Sequence, residues 1–351
     1  MTEKDYCCSS YLAFRYIERD GAEFAEGLHH TNPVLATREG RRAVHDADEL
    51  DAVLAERFDK LKSEGGRLGL FLSGGMDSAI LASYMEGCDA YTFRFEGGEM
   101  YREEMERAEY YARRYGLNLH YVDIDWMTIE EHLPAILRAK CAPVHSIEPQ
   151  LLQGALQAMA DGVTTAVLGE GCDATFGGLD GLLAREWRFD DFRRRYIFTD
   201  PAAVLKNPAD TDYLFERYRT AGDGIDYQRF ISEVFAVESA GSYFNAFGTA
   251  GMRYECPYSD TCLAEPLDLE RVRNGESKYI IRELFAKKYP EMPVPEKLPM
   301  PRPVDRWFKD WQGPVRSEFR DDIDIKELNG NSRWQLYCLE RFLDMLDRGE
   351  I

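Results

Sequence analysis

The run Arg67-Leu-Gly-Leu-Phe-Leu72 breaks off into Ser73-Gly-Gly-Met-Asp-Ser78, and this junction restricts the fold more tightly than any other stretch of the chain. A short apolar run ended by two glycines reads as a buried parallel strand entering a tight turn, with a helix expected from about Asp77. The alternation then recurs. Residues 90–95 read as the next strand, 99–115 as a helix stopped by Gly116, and 119–124 as a third strand. Helical segments over 127–140 and 148–161 are separated by the breakers Pro143 and Pro149, and 164–168 reads as a fourth strand. Strands at this interval with helical crossovers predict an α/β fold with a doubly wound parallel sheet.

Past about Gly181 the strand signals fade and aromatic-rich helical stretches take over, at 211–219, 227–238 and 277–288. The second half is therefore expected to be mostly helical. The proline-rich segment from Pro290 to Pro303 reads as a loop, and residues 332–346 carry apolar side chains at three-and-four spacing, as a docked amphipathic helix does. The expected organisation is a lead-in over 1–50 and one unit over 51–351, which divides into an α/β core (51–180) and a mostly helical part (181–351).

The 63 acidic and 43 basic residues give a net charge of −20, which disfavours nucleic acid as a main ligand, because phosphate backbones need clustered Lys and Arg. With 44% hydrophobic and 13% aromatic residues, the chain has the apolar material for a substantial core. The first ten residues lack the basic and apolar regions of a secretion signal, and no apolar run approaches the ~18 residues that span a bilayer. A cytoplasmic protein without membrane partners is the expectation. The eight cysteines include no Cys-x-x-Cys pair and read as buried thiols. The six histidines show no ligand or triad spacing and are taken as non-catalytic.

The sharpest chemical signal is the turn itself. Gly74 and Gly75 let successive amide N–H groups face one point as an anion nest, and the hydroxyls of Ser73 and Ser78 add donors toward phosphate. Asp77 stands where a carboxylate holds Mg²⁺ against phosphates; the plainer alternative is a tight strand-to-helix turn capped by Asp77.

These residues resemble the pyrophosphatase-loop ATP-binding family, whose Ser-Gly-Gly-x-Asp-Ser signature is matched in full. Within it, the chain is similar to the synthetase domain of asparagine synthetase and to the β-lactam-forming synthetases. Gly169-Glu-Gly-Cys-Asp-Ala-Thr-Phe-Gly-Gly178 resembles that group's Gly-Glu-Gly-x-Asp-Glu-x-Phe-Gly-Gly loop, Pro257-Tyr-Ser-Asp260 its Pro-Phe-Leu-Asp, and Lys278-Tyr-Ile-Ile-Arg282 its Lys-x-x-Leu-Arg. Pro295-Glu-Lys297 falls at the place of its Arg-x-Lys segment, Trp334, Leu339 and Glu340 fit a terminal pattern, and residues 10–16 resemble its lead-in. The resemblance thus covers nearly the whole chain.

It implies an adenine nucleotide alpha hydrolase-like fold and an ATP-dependent, AMP-forming carbon–nitrogen ligase. By that resemblance Ser73, Gly74, Gly75, Asp77, Ser78, Gly169 and Lys278 hold ATP or pyrophosphate, and Phe95 lines the adenine pocket. Asp77 and Asp173 share Mg²⁺. Glu170 orients or deprotonates the nitrogen nucleophile, Lys297 supplies positive charge, and Asp260 orients Lys297 or the acceptor. Glu103-Glu104 resembles a carboxylate region near the nucleotide, although a solvated helix face explains the pair equally well. The chain departs from the pattern at Ala174, where a second acid is usual, at Arg253-Tyr-Glu255, and through residues 183–250, which are expected to shape a different acceptor site. Residue 2 is Thr and 72 residues precede the loop, so no glutaminase is expected. The nitrogen would come as ammonia, from a separate glutaminase, or from an amine, and the acceptor would be a small-molecule or peptide carboxylate. Two alternatives remain at this stage: an enzyme that adenylates a tRNA base, and a non-catalytic nucleotide-binding protein.

Overall fold

The structure, a computed structural model, describes residues 2–296 and 300–351. Among these residues the strands are Arg42–Val44 (β1), Leu68–Phe71 (β2), Asp89–Phe95 (β3), Asn118–Ile124 (β4), Thr165–Val167 (β5), Arg253–Glu255 (β6) and Thr261–Leu263 (β7). Five of them form one parallel sheet in the order β4-β3-β2-β5-β6, and β1 pairs in parallel with β7 beside it. The helices that connect and cover the sheet start with Glu3–Phe14 (α1), Ala47–Ser63 (α2), Met76–Ala82 (α3), Arg102–Arg114 (α4), Trp126–Lys140 (α5), Glu148–Ala160 (α6) and Cys172–Phe176 (α7).

The period of two along β2 sets the two layers. Leu68, Leu70 and Leu72 face a core shared with Leu50 and Leu54 of α2, Ile80 of α3, Tyr111 of α4 and Phe285 of the helix Tyr279–Lys288. Phe71 faces the other way, with Tyr91, Val122 and Ile124, into a core built by α5, α6 and the closing helix Gly330–Asp347. All four residues of β2 are buried, as expected of a central parallel strand covered on both faces. A third cluster forms the helical lobe, where Phe192, Phe215 and Phe230 pack ring on ring; the last two stack at 5.1 Å. The aromatic wealth of residues 187–230 is spent there.

The doubly wound sheet and the helical second half are thus as the sequence predicts, with instructive differences. The fifth strand, β6, was not foreseen: it is three residues long and carries Arg253 and Glu255, which pair with Glu64 and Arg57. A charged edge strand leaves no apolar run to read. The helix expected from residue 99 begins at Arg102, because Tyr101 takes a left-handed conformation (φ 56°). The helix expected over 227–238 continues to Ala250 through a π-helical segment, Ile231–Phe235. The first helix belongs to the main core: Gln335 donates from its side-chain amide to the carbonyls of Tyr11 and Leu12. All eight cysteines are free thiols, and burial pushes those of Cys7 and Cys8 up to about 12. No helix among the described residues is long and apolar enough to cross a membrane.

Candidate active site

In a doubly wound sheet the crevice forms where successive connections leave a strand pair in opposite directions, at the carboxyl ends of those strands. Here the pair is β2 and β5: the chain runs from β2 outward through β3 to β4, then returns to place β5 on the other side of β2. The loop after β2 is Ser73–Ser78 and the loop after β5 is Gly169–Asp173, so the two motif loops face each other by topology. They line a cavity of about 210 Å³ with Phe71, Tyr91, Thr92 and Phe93 from β2 and β3, Glu104, Tyr243 and Lys278.

The first loop is held shut from inside. Ser78 is buried, its Oγ accepts from the Ser73 amide at 3.0 Å, and it lies 3.0 Å from the Ser73 Oγ. Ser78 is therefore a clamp on the turn, whereas Ser73 is exposed. Gly74 is needed because α4 runs directly against it: a Cβ there would lie 2.7 Å from backbone atoms of Glu104. Its carbonyl accepts from Nε of Arg107 at 3.0 Å, which fixes the loop to that helix.

The second loop meets the first through charge. Lys278 is buried, and its ammonium forms ion pairs with both Asp77 and Asp173. Burial alone would lower its pKa, but the charge of Asp77, with that of Asp173, outweighs the desolvation and holds it well above the ordinary value. The backbone of Lys278 is left-handed (φ 52°), a conformation that costs a side-chain-bearing residue about 1 kcal/mol or more and that aims the ammonium inward from the start of its helix. Gly178 completes the packing, since a Cβ would come within 2.2 Å of Asp173 Oδ1 and Lys278 Cε.

Glu170 sits where the cavity opens toward the helical half. Its Oε1 accepts from the Ser239 hydroxyl at 2.7 Å, and burial raises its pKa to about 7. Glu104, on the opposite wall, is also raised to about 7 by burial, against the opposing charge of Arg107. The pair Glu103-Glu104 thus splits: Glu104 lines the cavity, while Glu103 is solvated with an 87% exposed side chain.

Two of the expected site residues do not line this cavity. Phe95 does not line the cavity; it is buried behind it, edge-on to Tyr101 at 5.3 Å, and Phe93, two residues earlier on the same face of β3, takes the lining position. Asp260 ends the turn after β6, pairs with Arg57 at 3.4 Å, and lines not this cavity but the neighbouring space that Glu170 and Tyr243 also border. Lys297 lies outside the described residues. Ser73, Gly75, Asp77, Ser78, Gly169, Glu170, Asp173 and Lys278 do converge, and Gly74 supports the loop from behind. Sequence reasoning missed Ser239, a serine within a helix with no motif around it, and the lining roles of Thr92 and Met300.

The profile of the asparagine synthase family matches residues 49–236, more than half of the chain. The chain belongs to the asparagine synthase family. That membership makes it an ATP-using enzyme of ligase type. No curated protein matches the chain significantly. Among solved structures it is similar to an NMN synthetase from Francisella tularensis, with 10% identity over 73% of this chain and 99% of the other at a TM-score of 0.28. It is also similar to an NAD⁺ synthetase from Burkholderia pseudomallei (12%, 72% and 92%, 0.22) and to the U34-tRNA thiolase NcsA from Methanococcus maripaludis (14%, 72% and 82%, 0.24). TM-scores this low carry no weight, and the assignment rests on the family profile.

Proposed function

We propose that this family member is an AMP-forming amide ligase: it adenylates a substrate carboxylate with ATP, releases pyrophosphate, and transfers the acyl group to ammonia or an amine. The observation that carries the reading is the meeting of the Ser73–Ser78 loop with Asp77, Asp173, Lys278 and Glu170 at the switch point of the sheet. Backbone amides of the first loop would receive the pyrophosphate, which lets a protein of net charge −20 bind a polyanion. Lys278 supplies compact positive charge beside them.

The donor set also fits Mg²⁺. Two carboxylates already converge on one cation, the Lys278 ammonium, and Mg²⁺ is commonly held by one or two carboxylates with substrate phosphates completing its shell. No group of three or more His, Cys, Asp or Glu side chains poised for a metal occurs among the described residues, in keeping with so sparse a set. When bound, Mg²⁺ neutralises charge developing on the phosphates. Asp77 and Asp173 would hold it, with Lys278 shifting its contact to phosphate.

After adenylation, the amine nitrogen must lose a proton as it attacks. Glu170, near neutral pKa and oriented by Ser239, is placed to take that proton. Phe93 and Tyr91 give the cavity an apolar wall for the adenine. The test is pyrophosphate release measured across candidate carboxylates, with Asp77→Ala as the control. Formation of ADP and phosphate would refute adenylation, and saturable tRNA binding on filters at low salt would favour adenylation of a base instead.

A further inference from the structure

Asp77 is held at both carboxylate oxygens and at its main-chain carbonyl, each by a different partner. The Lys278 ammonium takes Oδ2, the Cys172 thiol lies 3.2 Å from Oδ1, and the Tyr258 hydroxyl donates to the carbonyl oxygen at 2.9 Å. Gly169 closes a further side, where a Cβ would come within 3.3 Å of the Asp77 Cβ. A carboxylate has no proton to give, so the thiol is the donor in its contact with Oδ1.

The place of the thiol follows from the local fold. Gly171 is left-handed (φ 87°), and α7 starts directly after it, at Cys172. Cys172 and Phe176, one helical turn apart, are the two buried residues of this short helix. Both belong to the core that holds Tyr258, whose ring meets that of Phe176 edge-on at 6.3 Å. The packing of α7 thus carries Cys172 onto Asp77, and the residue is only 1% exposed, so solvent does not compete for the contact. The Cys141 thiol donates to the Arg138 carbonyl, and that of Cys338 accepts from the Val144 amide. Cys172 differs from these two in meeting a charged side chain. Packing alone would accept any small apolar residue there, whereas the contact with Oδ1 needs a donor.

We infer that Cys172 is a positioning residue for Asp77: its thiol fixes Oδ1, so that Oδ2 is the oxygen offered to Mg²⁺ once Lys278 turns to phosphate. This rests on the ligase reading above, in which Asp77 holds the metal, and it deepens that reading by one residue. Partners behind a metal ligand orient it and set its basicity, and their loss typically costs about 10–100-fold in metal affinity or activity. A thiol is a weak donor, so it aligns the carboxylate while leaving its negative charge nearly whole for the cation. A hydroxyl at this position would also align it. The loop amides and the wall formed by Tyr91 and Phe93 make no use of the thiol, so its removal should weaken metal-assisted binding of the nucleotide and spare binding without metal.

The test is calorimetry of ATP binding to the full-length chain, once with MgCl₂ and once with EDTA, for the wild type, Cys172→Ala and Cys172→Ser. Cys172→Ala should bind ATP·Mg²⁺ about tenfold or more weakly than the wild type while binding ATP in EDTA equally well, and Cys172→Ser should recover most of the loss. Cys172→Val fills the space without supplying a donor, so it gives the same readout as alanine even where Cys172→Ala loosens α7. A purely structural role would weaken binding to the same extent in both conditions. Equal losses with MgCl₂ and EDTA, unchanged affinity for ATP·Mg²⁺ in the alanine and valine variants, or a serine variant no better than alanine overturns the proposal. Failure of the wild type to bind ATP·Mg²⁺ overturns the ligase reading instead, so the two failures are distinct.

Discussion

Lys278→Met removes the ammonium that joins the two motif loops while keeping the length of the side chain. The Lys278 side chain is 3% exposed, whereas those of Asp77 and Asp173 are 25% and 37% exposed. Breaking a fully buried pair costs about 3–5 kcal/mol, and an exposed pair is worth about 0–1. Carboxylates that keep part of their water bring the expected loss to about 2–3 kcal/mol. With a urea dependence of roughly 2–3 kcal/mol/M, the denaturation midpoint should fall by about 1 M. The lysine pKa is raised on folding, so its contribution is present at every pH below the unfolded value of 10.5 and fades only as pH rises through the folded value. The deficit should therefore be constant between about pH 7 and 9. In the variant, Asp77 and Asp173 lose the Lys278 ammonium that joins them, so MgCl₂ should raise its midpoint more than that of the wild type. A variant as stable as the wild type, or a midpoint indifferent to MgCl₂, would refute the bridging role.

Glu170→Gln should leave pyrophosphate release intact while slowing amide formation by about 10²–10⁴-fold, and should abolish a rise in rate with pH centred near 7 that steady-state kinetics resolves in the wild type. Because folding raises the Glu104 pKa to about 7, the folded state loses stability as pH climbs from 4.5 to 7; Glu104→Gln should therefore be the more stable protein above pH 7 by urea denaturation, and no different near pH 4. Gly74→Ala drives a methyl into the backbone of Glu104 and should lower stability by about 1–3 kcal/mol, read from the same denaturation curves, and weaken ATP binding. Phe93→Ala should weaken ATP binding in calorimetry with little loss of stability, whereas Phe95→Ala should cost about 3–5 kcal/mol of stability.

The sequence made the inner part of the molecule legible and the edges obscure, for a physical reason. Strands β2, β3, β4 and β5 are covered on one or both faces, so their burial is written as apolar runs or alternation; the loops that follow β2 and β5 are short and glycine-rich, so the site could be read from them. Strand β6 is held by Arg253 and Glu255 at an edge and looks like any charged stretch. The side chain of Ser239, recruited from a helix, reaches the site by three-dimensional packing alone, and no motif around it in sequence marks it. Phe93 and Phe95 have the same parity on the strand, so alternation could not choose between them; the left-handed turn at Tyr101 decides it by laying a ring across Phe95.

The packing of α1 against the helix Gly330–Asp347 has a consequence for how the protein is made. Tyr11 and Leu12 accept hydrogen bonds from Gln335, and β1 waits for β7 some two hundred residues later. Partners so far apart in sequence carry a large loop-closure penalty before any contact repays it, which slows folding. During synthesis the first helix is exposed, with Tyr6, Cys7, Cys8 and Tyr11 uncovered, until the ribosome has released residues beyond 330. Strands β2 to β5 can pair once residue 167 has emerged, so what waits for the end of synthesis is the docking of the first helix onto the closing one.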